Sequence, residues 1–401
     1  MIQSKDNTIS AYQPISPLLV LLMAVSAGIT VANIYYNQPI LKAIATDLHT
    51  TEAQAGIISM LSQVGYGLGL FFITPLGDKI NKKRLIIGLQ LLLIVSLFLI
   101  TFTSSILQVW ILSLFIGMFS VSVQVIMPMA AGLDSENRGK TVGTIFTGLL
   151  IGILAARVFS GTIAEWFGWR NVYLFSGIAV TAVSVLLKIY LPNVETSFQG
   201  SYLELLGSAL KQFRRFRLLR RLSIIGMLQF GLFCSFWTTL TFHLSGSPFH
   251  FGSDTIGLFG LVAIAGALLA PVIGQKADKG KSVRVRFLAA GLLIVSILLM
   301  LFFQQSIPAL VLGVLLLDIG AQGLQVTNVA LIYTLGDESL HSRINTVYMT
   351  SFFIGGALGT SVGILCWQLG GWTWVTAQML ISALLIILLL LKEKRDAQLH
   401  E

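Results

Sequence analysis

The stretch Thr74-Pro75-Leu76-Gly77-Asp78-Lys79-Ile80-Asn81-Lys82-Lys83 returns, altered, as Gly274-Gln275-Lys276-Ala277-Asp278-Lys279-Gly280-Lys281. Asp78-Lys79 and Asp278-Lys279 lie 200 residues apart in a chain of 401, so the second copy sits half a chain after the first. Two further pairs keep nearly the same distance. Arg138 and Arg343 are separated by 205 residues, and Gly168-Trp169 and Gly371-Trp372 by 203. A drift of a few residues is what unequal loops produce, so the chain reads as two copies of one unit.

Around these markers run apolar segments of about 20 residues, the length that crosses a bilayer as a helix. Twelve are expected. In the first half they cover 17–38, 53–75, 85–103, 108–131, 141–164 and 170–191, and in the second 218–243, 254–275, 285–304, 308–332, 343–367 and 372–391. Composition agrees: 55% of residues are hydrophobic and 11% charged, against about 25% charged in soluble domains. The expected fold is all-α integral membrane, two pseudo-symmetric six-helix bundles at 1–191 and 218–401. Residues 192–217 form a linker between them. There Leu203, Leu206, Leu210 and Phe213 recur at helical spacing beside Arg214, Arg215 and Arg217. That pattern fits either an amphipathic helix on the membrane surface or a partly ordered tether. The polar first sixteen residues lack a clear small-residue cleavage site, which favours an uncleaved first span.

The net charge of +9 is a matter of topology. Of 26 Lys and Arg residues, 22 fall on the side that holds the N-terminus, against only Lys42 and Arg170 on the other. The positive-inside rule then puts both termini in the cytoplasm. No basic block carries interleaved aromatics, so nucleic acid is not an expected partner. Cys234 and Cys366 lie inside apolar runs and read as buried hydrophobes. Gly65-Tyr66-Gly67-Leu68-Gly69 lies inside a span with no preceding strand, so it is not a nucleotide loop. Gly65/Gly69, Gly148/Gly152 and Gly355/Gly359 read instead as small-residue packing surfaces. With no ATP-binding loop, metal motif or hydrolytic triad, no cofactor is expected, and energy would come from an ion or solute gradient.

The two Asp-Lys loops resemble the signature G-x-L-A-D-K/R-x-G-R-K of the major facilitator superfamily, and the resemblance covers nearly the whole chain. Thr74 and Asn81 stand where the signature has glycines, and Asn tolerates positive φ better than other side chains. The second copy is one residue shorter before its last glycine. In that family the loop latches the cytoplasmic side, which implies a latch of Asp78, Lys79, Lys83, Arg84, Asp278 and Lys279. Val31-Ala32-Asn33-Ile34-Tyr35-Tyr36-Asn37-Gln38-Pro39 and Gly148-Leu149-Leu150-Ile151-Gly152-Ile153-Leu154-Ala155-Ala156-Arg157 resemble bacterial efflux-type members that export drugs, sugars or metabolites. The resemblance implies a monomeric inner-membrane transporter, working by alternating access on a small solute and protons. Two exporter features are missing. Ser113 stands four residues before Gly117 where many proton-coupled exporters carry arginine, and the fifth span lacks the antiporters' Gly-Pro pair, with Arg157 in that neighbourhood.

Asp318 is the one acidic residue deep in an expected span, where a charge costs at least about 2.5–3.5 kcal/mol. It must face a partner or a cavity. It lies about 15 Å from the outer end of its span and Arg157 about 10 Å from the outer end of its own, at 1.5 Å per residue. Three arrangements fit: a pair that switches with protonation, a static pair that orients helices, and Arg157 bonded to carbonyls of its own half. The family fold implies a cavity lined by spans one, four, seven and ten. Candidate lining residues are Asn33, Tyr36 and Asn37; Gln63 and Tyr66; Gln124 beside Pro128; Gln229, Phe233 and Trp237; and Gln322 and Gln325, which share a helical stripe with Asp318. Taken singly, each amide or phenol reads as interhelical glue. Taken together, they read as a site for an amphipathic solute that can carry positive charge. His243, at the end of its span, is either a titrating group or an interfacial histidine. The leading expectation is proton-coupled export; a uniporter or importer is the alternative within transport. A membrane sensor or embedded enzyme would need a further domain or a second deep titratable residue.

Overall fold

The computed structural model describes residues 15–134, 136–194, 200–263 and 282–398. Among these residues, ten helical stretches are long and apolar enough to cross a membrane. The last is two spans run together, and one shorter apolar helix, Ser253–Ala263, covers the start of the eighth expected span. In chain order the spans are α1 (Pro17–Asp47), α2 (Glu52–Asp78), α3 (Lys82–Thr101), α4 (Ile106–Leu133), α5 (Arg138–Phe167) and α6 (Trp169–Tyr190). Then follow α7 (Arg217–Ser245), α8 (Ser253–Ala263), α9 (Ser282–Phe302) and α10 (Ile307–Ile332). The stretch Glu338–Gln398 divides at Gly370 and Gly371 into α11 (338–369) and α12 (372–398). The second copy of the latch, Asp278 and Lys279, lies outside the described residues, as does most of the eighth expected span.

The chain is a twelve-helix membrane fold of two bundles. One buried apolar cluster is drawn mainly from α1–α6, and a second comes almost wholly from α7–α12. Large apolar side chains such as Leu91, Ile151, Leu288 and Leu388 are exposed on the outside, the surface that a hydrocarbon solvent accepts. Where helices meet, glycines let backbones touch. A Cβ on Gly152 would stand 2.2 Å from the Gly28 carbonyl oxygen, joining α5 to α1. Its counterpart on Gly359 would stand 2.1 Å from that of Gly231, joining α11 to α7. The repeat seen in sequence is therefore a repeat of close contacts. It extends to the turns: Gly168 has φ 88° and Gly371 φ 63°, left-handed values that glycine adopts without strain. The tryptophan after each glycine is buried and donates its indole N–H, Trp169 to Asp47 Oδ2 at 3.1 Å and Trp372 to the Met300 carbonyl at 3.0 Å.

Several helices are less regular than their hydropathy. α1 stops at Ala32 and restarts at Asn37, with a turn over 33–36, and ends nine residues beyond the expected boundary at residue 38. Pro39 supplies the cause, because it cannot donate to the preceding turn and crowds it. α2 closes through a π turn at Gly69–Ile73 and a 3₁₀ turn at Thr74–Asp78, and α4 breaks between Phe119 and Ser122.

The linker holds a surface helix, Tyr202–Arg215, with Ser201 and Glu204 forming a capping box. Ala209 packs with Leu219 and Leu222 of α7, Ile332 of α10 and Tyr348 of α11, whereas Leu203 and Leu210 face outward. Tyr202 Oη donates to the Phe72 carbonyl of α2, so this helix touches both bundles. Arg220 Nη1 donates to the Phe213 and Arg214 carbonyls at 3.1 and 2.6 Å, covering the helix's C-terminal end.

Candidate functional site

The α1 break sets the geometry of the site. Asn33 and Asn37 flank it and are spent on packing. Asn33 Nδ2 donates to the Ile29 carbonyl at 2.9 Å, and its Oδ1 accepts from Ser176 Oγ of α6 at 2.7 Å. Asn37 Nδ2 donates to the Ile34 carbonyl at 2.9 Å, and its Oδ1 accepts from Ser59 Oγ of α2. Tyr36 pairs with Phe159 at 5.5 Å between ring centres and lines an apolar groove between α1 and α5. Asn33 and Tyr36 both meet Ser176 of α6, whereas Asn37 turns to α2, because the turn over 33–36 changes the phase. The residues that the break presents to the middle of the molecule are Tyr35 and Gln38, neither of which the sequence reading selected.

Arg157 is the centre of this group. Its side chain is buried to 1% exposure. The guanidinium Nε donates to Gln38 Oε1 at 2.8 Å, and its plane lies 3.9 Å from the centre of the Trp237 ring on α7. The Tyr35 ring is 5.4 Å away. Thr241 Oγ1 on α7 donates to the Gln38 carbonyl at 2.7 Å, so Gln38 holds the arginine with its side chain and the opposite bundle with its backbone. On α8, a Cβ at Gly260 would stand 2.9 Å from Arg157 Cβ, which leaves room there only for glycine. Asp318 on α10, at 3% exposure, is the strongest charge acting on Arg157. The two do not close a direct ion pair, and both Asp318 Oδ2 and Arg157 Nη2 lack hydrogen-bond partners.

The other candidates distribute themselves around this group. Gln63 accepts from Thr360 Oγ1 of α11 at 2.9 Å, a second bond between bundles. Gln124 Nε2 donates to Tyr66 Oη at 3.0 Å, and the Tyr66 ring meets Phe353 of α11 at 4.3 Å. Gln229 Nε2 donates to the Ala321 carbonyl at 3.1 Å, one turn from Asp318, while its Oε1 is buried without a partner. Phe233 lies between Phe230 and Trp237, with ring centres at 6.1 and 6.2 Å. Gln325 bonds Tyr348 Oη at 3.0 Å, and Gln322 is half-buried. His243 is held by the Gln304 carbonyl at 2.8 Å and stacks on Trp372 at 4.3 Å, away from Arg157.

The ends of the bundle carry the remaining charges. Opposite the basic loops, Glu52 bonds Lys42 at 2.7 Å and accepts from Trp367 Nε1 of α11 at 2.8 Å, and Glu165 accepts from the Ser253 amide that opens α8 at 2.9 Å. At the basic end, Asp78 faces Lys82 and Arg343. Lys83 instead donates to the Leu191 carbonyl, and Lys79 and Arg84 are exposed. Asn81 has φ −52°, so it does not occupy a left-handed position; its Oδ1 accepts from the Arg84 amide and caps α3. Arg286, counted with the loops in the sequence, is buried one turn inside α9 and forms a two-pronged pair with Glu393 at 2.6 and 3.1 Å.

The sequence matches the Major Facilitator Superfamily over residues 23–302 and 280–400. It is 39% identical over 363 residues to the uncharacterized transporter YgaY of Escherichia coli O157:H7, covering 90% of this chain and 92% of that one. It is 27% identical over 155 residues to a multi-drug resistance efflux pump PmrA homolog of Lactococcus lactis, covering 38% of each. The fold superposes with a TM-score of 0.73 on a bacterial homolog of the human lysosomal transporter Spinster, inward-facing and occupied, at 11% identity over 93% of this chain and 95% of that one.

Proposed function

Because the chain belongs to the major facilitator superfamily, we propose that it is a proton-coupled exporter of a small amphipathic solute, working by alternating access. The observation that carries this reading is the buried group of Arg157 and Asp318, opposite charges on opposite bundles. An ionised Asp318 balances Arg157. A proton on Asp318 removes that balance and changes what holds the bundles together. The titratable groups facing Arg157 are Tyr35 from α1, Cys234 from α7 and Asp318 from α10.

Export is supported by the similarity to an efflux pump homolog. The excess of basic residues at one end supports an inner-membrane orientation with both termini cytoplasmic. Asp78 and Arg343 then act as the cytoplasmic clamp. The aromatic and amide residues around Phe233, Trp237 and Gln229 contact the solute. The proton gradient is the energy source, with no cofactor, and a monomer suffices.

The test is a solute screen in proteoliposomes under a proton gradient of each sign. Wild type should move solute opposite to protons and reverse when the gradient reverses. Asp318→Asn should lose the gradient dependence while retaining exchange of solute across the membrane. Unchanged gradient dependence in Asp318→Asn would sink the coupling role, and solute moving with protons would make the protein an importer.

A further inference from the structure

The central group leaves polar atoms of both signs unsatisfied in a buried setting. Arg157 uses Nε on Gln38 and its face on Trp237, yet Nη2 has no partner. Asp318 Oδ2 has none either, and Trp237 Nε1 beside them is also without an acceptor. A buried N–H or carboxylate oxygen left unpaired is costly, and more so when it carries charge. Both residues are more than nine-tenths buried, at 1% and 3% exposure. The two charges act on each other without an ion pair that would satisfy either atom.

This pattern selects among solutes by charge. A bare cation on Asp318 would neutralise the charge that balances Arg157 and leave the site with a net positive charge. A bare anion on Arg157 would meet the carboxylate of Asp318. At low local dielectric neither arrangement is screened. A molecule with a carboxylate and an ammonium satisfies both atoms and adds no net charge. We propose that the group between α5, α7 and α10 recognises a zwitterionic solute of the free amino acid class, its carboxylate accepting from Arg157 and its ammonium donating to Asp318. Tyr35, Phe233 and Trp237 face its apolar part. The inference rests on the transport reading for the site's purpose and departs from the cationic solute that the sequence suggests. It also accounts for exchange, because a proton and the ammonium compete for the same carboxylate. The titratable and charged groups facing Arg157 are Tyr35, Cys234 and Asp318, and Arg157 is the charge facing Asp318.

The experiment is thermal unfolding of the purified full chain in detergent. The probes are the neutral L-amino acids, the amines that lack their carboxylate and the acids that lack their ammonium. At least one amino acid should raise the unfolding temperature by several degrees at a hundredfold excess over Kd, and its amine and acid should not. Asp318→Asn and Arg157→Gln should abolish the shift. Should Arg157→Gln fail to fold, the wild-type panel decides alone. A shift produced equally by an amine or an acid, or by no amino acid in the panel, overturns the proposal. Proteoliposomes separate the two readings. An amine exported against protons overturns the zwitterion and leaves the exporter standing, whereas an amino acid that binds but is not moved supports the site and sinks the transport role.

Discussion

The amides of α1 and the charged group around Arg157 lie within a turn or two of each other and behave in opposite ways. Asn33 and Asn37 have a hydrogen-bond partner at both their amide nitrogens and their oxygens, all from α1 itself, α2 or α6 of the same bundle. Arg157, Asp318, Trp237 and Gln229 each retain a buried polar atom with no partner, and Arg157 meets Trp237 and Asp318 across the bundles. Interhelical glue is complete within one rigid unit. A group that must change partners cannot be complete in one state, because the next state needs the same atoms. Substitutions in the central group should therefore alter transport, and substitutions in the amides should alter stability.

The largest effect is expected at Arg157. Arg157→Met leaves Asp318 buried without its counter-charge, a loss that in other buried pairs costs about 3–5 kcal/mol. Transport in proteoliposomes should fall by roughly 100-fold or more. The double substitution Arg157→Met with Asp318→Asn should unfold at a higher temperature than Arg157→Met alone, because the lone charge is gone. A double variant no more stable than the single one would show that the two charges are not coupled.

Trp237 comes next. A desolvated cation–π contact contributes about 2 kcal/mol, so Trp237→Leu should lower transport by about 30-fold. Trp237→Phe keeps an aromatic face and should lose less. Equal losses in the two variants would mean that Trp237 acts by volume alone.

Gln38→Leu removes a hydrogen bond to a charged group, commonly about 1.5–3 kcal/mol, while keeping volume and the backbone carbonyl that Thr241 uses. Transport should fall by about tenfold or somewhat more. The solute concentration for half-maximal rate should be read alongside, since a freed guanidinium edge should change solute affinity. The unfolding temperature should fall as well, because Arg157 Nε is left buried without its partner.

Gln38 also shows where sequence reading stops. The spans were legible because every backbone group in hydrocarbon must bond internally, which forces long apolar helices. Asp318 and Arg157 were legible because charge at that depth is costly and therefore conspicuous. Gln38 and Tyr35 stand in the same stretch as Asn33 and Asn37, and an unbroken helix puts the asparagines on the favoured face. Pro39 announced the break, yet a proline fixes only that a helix is interrupted, not by how much the face turns. Thr241 and Gly260 carry no signal of their own; one is a hydroxyl on an apolar helix and the other a glycine among many. Asn81 is ambiguous in sequence for a related reason. Its residue type suits a left-handed turn and a helix cap alike, and only the backbone at φ −52° decides for the cap.

The smallest effect belongs to Asn37 and tests the other side of the contrast. Asn37→Ala deletes the bonds to the Ile34 carbonyl and to Ser59. Polar contacts between membrane helices contribute about 0.6 kcal/mol on average, because the separated helices also find partners. The unfolding temperature in detergent should drop by about 2 °C or less. Transport rate, solute preference and gradient dependence should all stay at wild-type values, since the hydrogen bonds of Asn37 stay within the first bundle. A variant that kept its unfolding temperature and lost transport would place Asn37 in the solute path after all. The contrast between glue and site would then have to be redrawn along α1, with the break at 33–36 as a binding surface.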